Sequence, residues 1–123
     1  MTYLKNFQNV ASENEFFRNV LYTGKRSQLV AMKLAPGEEI GEETHPATDQ
    51  VFFFIEGAGE ATIDHRPLRV SSGEVLCVPA GTLHNIRNTA KKALKLLTLY
   101  APPEHPAGTI EKTREDALAS QAH

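Results

Sequence analysis

The chain has almost no cysteine. Cys77 is the only one, so no disulfide can form within it. It also lacks an excess of positive charge. Thirteen basic residues against fifteen acidic ones give a net charge of −2, which leaves no basic footprint for nucleic acid or anionic lipid. No apolar run approaches the ~20 residues that a membrane-spanning helix needs. The first residues, MTYLKNFQNVASENEFF, lack the apolar centre of a secretory leader, so a cytoplasmic protein is expected, with neither membrane nor nucleic acid as a partner. Internal repeats and low-complexity stretches are missing too.

What is present suits a folded β protein. The 123 residues are enough for one domain with a real core and too few for two. Hydrophobic residues make up 41% and charged residues 23%, the balance of a soluble globular chain. Short β-rich runs are separated by Gly and Pro turns at regular spacing, the pattern of an all-β, two-sheet antiparallel barrel. Strands are expected over 16–23, 28–34, 50–56, 60–64, 68–70, 74–78, 83–88 and 93–100. The run 28–34 is apolar on both faces, so both should be covered. The outward set Val51, Phe53 and Ile55 also needs a cover, from the N-terminal arm, a sheet flank or another subunit. The expected division is a single domain: an N-terminal arm over 1–15, a barrel over 16–100, and a Pro-rich segment with a short C-terminal helix over 101–123. Thr113 is the expected helix cap, with Glu115 and Asp116 in the first turn.

The chemistry concentrates in residues 37–57, GEEIGEETHPATDQVFFFIEG. Glu43 and His45 lie two apart, so on an extended strand they point the same way. Gln50 opens the next strand, and His84 follows the Pro79-Ala80-Gly81 turn. Converging inside a barrel, Glu43, His45, Gln50 and His84 offer a carboxylate, two imidazoles and an amide oxygen to one divalent metal ion. Two histidines with one carboxylate suit Fe(II) and accept Mn, Ni, Co or Zn. Gln50 has an equal alternative as a hydrogen-bonding residue at the barrel mouth. Should Glu43 not ligate, it is placed to act as a general base. Met32, Phe52, Phe54 and Tyr100 are expected to line the cavity, where core and lining are one. Asp49, His65 and His105 read as turn or surface residues, and Cys77 as a buried small residue on an inner strand.

These spacings resemble a known family. Gly37, five residues, Glu43, one residue, His45, four residues, Gln50, six residues and Gly57 is similar to the first cupin motif. Gly73, five residues, Pro79-Ala80-Gly81, two residues, His84, three residues and Asn88 is similar to the second. The runs YTGKRSQLV at 22–30 and YAPPEHPAGT at 100–109 resemble one group of small single-domain bacterial cupins. The resemblance implies a jelly-roll barrel (a double-stranded β-helix), a central metal and often a homodimer. Glu43 stands where the family more often has histidine, and Gln50 where it more often has glutamate, so the site's formal charge is unchanged. The family includes isomerases, lyases, dioxygenases and metal-free binding modules. Three functions therefore stand side by side. One is a metal-dependent enzyme acting on a small polar or anionic molecule such as a sugar acid or keto acid. The others are a non-catalytic small-molecule sensor and a structural, dimerising domain.

Overall fold

The computed structural model describes residues 2–121. A helix, α1 (Phe7–Glu13), precedes nine strands: β1 (Arg18–Thr23), β2 (Gln28–Leu34), β3 (Asp49–Glu56), β4 (Ala58–Ile63), β5 (Arg66–Ser71), β6 (Val75–Val78), β7 (His84–Arg87), β8 (Leu94–Ala101) and β9 (Ile110–Glu111). Helix α2 (Arg114–Gln121) closes the described chain. The strands form a six-stranded sheet in the order β6-β3-β8-β2-β1-β9 and a three-stranded sheet in the order β5-β4-β7. Every pairing is antiparallel. This is the two-sheet jelly roll that the turn spacing implies.

The principal core lies between the sheets and contains Val30, Met32 and Leu34 from β2, Phe52 and Phe54 from β3, and Leu96 and Tyr100 from β8. The period-2 alternation of β3 produces this directly: Gln50, Phe52 and Phe54 are buried, while Val51 and Ile55 are half-buried and Phe53 is exposed. The second apolar face of β2 is covered as well. Ala11 of α1 packs with Ala31 and Leu97 on the outside of the large sheet, joined by Leu29 and Ile55. The arm, where the sequence suggests one turn of helix, carries the seven-residue α1, with Asn6 capping it through the amide of Asn9. Lys95 holds the far end of α1 by donating to the carbonyl of Ser12. On α2, Thr113 accepts from the amide of Asp116 and Ala117 enters the main core, so the helix lies on the barrel.

Two sequence expectations need correction. The segment carrying Glu43 and His45 is not a continuous strand; it touches the small sheet only through isolated bridges, Glu39 with Arg87 and Glu43 with His84. Its alternation survives nonetheless, with Glu43 and His45 half-buried and Glu42 and Thr44 exposed. Cys77 is exposed, because its strand β6 turns Val78 inward and residues of opposite parity outward. Two glycines are demanded by geometry. Gly57 has φ +90°, and a Cβ there would stand 2.6 Å from the carbonyl oxygen of Ala93. Gly81, at φ +84°, makes the turn whose amide donates to the carbonyl of His45 at 2.8 Å, so the second turn fixes a candidate ligand of the first segment.

Candidate metal centre

Backbone pairing brings the two halves of the site together. Glu43 and His84 exchange both amide hydrogen bonds, at 2.9 and 3.0 Å, which sets their side chains next to each other. One donor atom each from Glu43, His45 and His84 lies within 4.8 Å of the other two. The imidazole centroids are 5.5 Å apart. Around them stand Phe52, edge-on to His84 at 6.0 Å, and Tyr100, edge-on to His45 at 5.9 Å. Met32, Phe52, Phe54 and Tyr100 all lie inside the main core cluster, facing the barrel interior.

The remaining hydrogen bonds orient the rings. His84 Nδ1 lies 2.9 Å from the carbonyl oxygen of Thr82. A carbonyl only accepts, so the proton sits on Nδ1 and the Nε2 lone pair faces inward. That Nε2 is 3.0 Å from Gln50 Oε1, and Gln50 donates its amide to Thr98 Oγ1 at 3.0 Å. On the neutral tautomer of His84 two acceptors face one another, an arrangement that a cation relieves. His45 Nδ1 is 2.6 Å from Glu104 Oε1. Its Nε2 is buried 2.8 Å from Glu43 Oε2, a close carboxylate contact, and makes no well-aligned hydrogen bond among the described residues. Each ring therefore has its Nδ1 side satisfied and its Nε2 turned toward the other donors, the arrangement expected of metal-ligating histidines. The residues present fit a divalent ion.

Electrostatics agree with that geometry. Burial opposes the charge on Glu43, but His45, Arg18 and His84 outweigh it and hold its pKa below the usual carboxylate value. His45 is shifted upward by the Glu43 carboxylate against it, in opposition to burial and with help from Glu104. Burial raises the Tyr100 hydroxyl well above its ordinary range, so it remains a neutral donor.

Several neighbours lie beyond the reach of sequence spacing. Glu104 and His105 sit in the irregular segment between β8 and β9, which folds back as a strap over the site. His105 was expected on the surface, but it is half-buried, with its ring 5.2 Å from that of Tyr100 and Nε2 3.4 Å from the hydroxyl. Burial, reinforced by the charge of Arg18, lowers its pKa to about 4. The three prolines around it signal irregular chain and say nothing of docking. His65 is exposed in the β4–β5 turn at φ +68°, as expected. Asp49 opens β3 and is exposed, and its carboxylate accepts from the amide of Ala80 at 2.9 Å, tying the Pro79-Ala80-Gly81 turn to the start of β3.

The model of the family described as "Cupin domain" matches residues 30–100. The chain belongs to the cupin family. Among relatives, the uncharacterized protein YrkC of Bacillus subtilis is 39% identical over 125 residues, covering 97% of this cupin and 67% of YrkC. The crystal structure of BH2720 from Bacillus halodurans superposes with a TM-score of 0.94 at 38% identity, covering 97% of this chain and 95% of that one. A more distant relative, the oxalate-binding protein of Thermotoga maritima, is 26% identical over 75 residues, or 61% of this cupin and 62% of that protein. No helix among the described residues of this cupin is long and apolar enough to cross a membrane.

Proposed function

We propose that this cupin is a metal-dependent enzyme acting on a small polar or anionic molecule, such as a sugar acid or keto acid. Glu43, His45 and His84 would hold one divalent ion, with Gln50 as a neutral fourth donor. The observation that carries the reading is the convergence of Glu43, His45 and His84, one donor atom of each within 4.8 Å of the others. The buried His45 Nε2 lies 2.8 Å from Glu43 Oε2 and in no well-aligned hydrogen bond among the described residues. When bound, such an ion supplies Lewis acidity to an oxygen-bearing group. The chain's own residues supply the rest. Glu104 and the carbonyl of Thr82 fix the ring orientations of His45 and His84. Gln50, braced by Thr98, holds an oxygen against His84. Phe52, Phe54 and Tyr100 keep the interior dry, which strengthens every charge interaction within it. Glu43 combines a lowered pKa with an inward position, so it remains an anion there.

One test is turnover. Protein reloaded with manganese, iron or zinc is incubated with a panel of small keto, hydroxy and sugar acids and followed by proton NMR. Conversion that disappears in His84→Ala is expected. No conversion of any acid, together with saturable binding of one, favours the second reading, a receptor without catalysis. The strap over the site and a relative named for oxalate binding support that alternative. A homodimer is proposed on the outer face of the large sheet, where Phe7, Phe53 and Val75 are exposed.

A further inference from the structure

Arg18 is a charged side chain with almost no contact with water. It opens β1 and is 2% exposed. In register it lies between Met32 of β2 and Glu111 of β9, and two residues along Val20 faces the same interior. One Nη pairs with Glu111, while Nε is buried and has no hydrogen-bond partner among the described residues. A guanidinium offers five donors in a flat fork. Glu111 and the neighbouring Tyr100 hydroxyl engage part of that fork and leave Nε unused, deep inside a barrel where unused donors are costly.

The guanidinium also lies close to the site. It opposes protonation of His105, whose ring stands 5.2 Å from that of Tyr100, itself 5.9 Å from that of His45. His105 and Tyr100 come from the strap and from β8, and Arg18 from β1, none of which carries a candidate metal donor. Fold support alone is a poor account of it. A buried ion pair is weak support compared with apolar packing, and β9 is only two residues long.

We propose that Arg18 is the anion receptor of this site: its guanidinium takes the carboxylate of a small substrate acid, with the Tyr100 hydroxyl as an adjoining neutral donor. The inference rests on the reading that the barrel interior receives a small anionic molecule, and it names the residue that selects for the charge. The acid is short, because Phe52 and Phe54 fill the interior. Its carboxylate lies on the Arg18 side, and its neighbouring carbonyl or hydroxyl oxygen is directed toward Glu43, His45 and His84.

The test is calorimetric titration of pyruvate into manganese-loaded wild type, Arg18→Met, Arg18→Lys and Glu111→Gln, with metal content and melting temperature measured on each. Wild type is expected to bind saturably. Both Arg18 variants should lose about tenfold or more in affinity, because a fork is replaced by a thioether or a point charge, while their metal content is unchanged. Glu111→Gln should bind as tightly as wild type or more tightly, since the fork is released from its competing carboxylate. A purely structural tie between β1 and β9 predicts the opposite for Glu111→Gln, which would then weaken binding as Arg18→Met does. That result overturns the proposal, as does absent or Arg18-independent pyruvate binding. Should Arg18→Met fail to fold, Arg18→Lys and Glu111→Gln decide. Wild type that takes up no manganese contradicts the proposed function instead, and the same pyruvate series without metal still decides the role of Arg18.

Discussion

The Gln28 side chain donates to the carbonyl of His105 at 2.7 Å, across 77 residues of sequence. Its oxygen accepts from the amides of Glu104 and His105 at 3.2 and 3.0 Å. One fully buried amide on β2 therefore grips the tip of the strap from both sides, and the strap in turn places Glu104 on His45. Gln28→Ala should lower stability by about 2 kcal/mol, as expected for a buried polar cluster left unpaired. Hydrogen exchange at the amides of Glu104 and His105 should accelerate selectively. Uniform acceleration across β2 and β8 would mean that Gln28 supports the sheet and not the strap.

Glu104 acts through His45. Glu104→Gln keeps the shape and removes the charge that orients and enriches the imidazole. Metal affinity, measured by competition with a chelator, should fall roughly 10-fold to 100-fold, the usual cost of losing such a partner. Thermal stability should change little, since the carboxylate is partly exposed.

Gln50 separates two roles by direction. As a metal donor, Gln50→Glu should tighten metal binding and Gln50→Leu should weaken it by about tenfold or more. As a mere brace between His84 and Thr98, Gln50→Leu would lower the melting temperature and leave metal affinity near that of wild type.

Acid should weaken the fold through His105. Its pKa in the folded chain is about 4, against an ordinary value of 6.5, because of burial first and Arg18 second. Glu111 and Glu43 act in the opposite sense, and His45 in the same sense as Arg18. The unfolded chain therefore takes up a proton that the fold refuses. The associated stability is whole above the unfolded value and is lost as pH falls from 6.5 toward about 4. Allowing for partial exposure, the loss is on the order of 1 kcal/mol. Urea unfolding of wild type and His105→Asn at about pH 7.5 and about pH 5 checks it, with the variant losing less. Equal losses in both proteins would assign the acid sensitivity elsewhere.

How much of this was legible in the sequence depends on distance along the chain. Glu43 and His45 share a parity, and the Pro79-Ala80-Gly81 turn announces His84, so three candidate donors can be found from local spacing alone. The alternation of β3 places Phe52 and Phe54 inward for the same reason. Arg18, Gln28, Glu104 and His105 were not legible, because their positions follow from strand order. β1 meets β9, and β2 meets β8, only through the sheet topology. Cys77 was misplaced since a four-residue strand carries too short an alternation to fix its parity.

The central claim is that three side chains from two distant segments hold one ion. Crystals of protein reloaded with manganese, with diffraction recorded on both sides of the manganese absorption edge, test it most directly. The account predicts one anomalous peak within bonding reach of Glu43, His45 Nε2 and His84 Nε2. A fully loaded crystal with no peak there, or with its only peak at surface carboxylates, would contradict it.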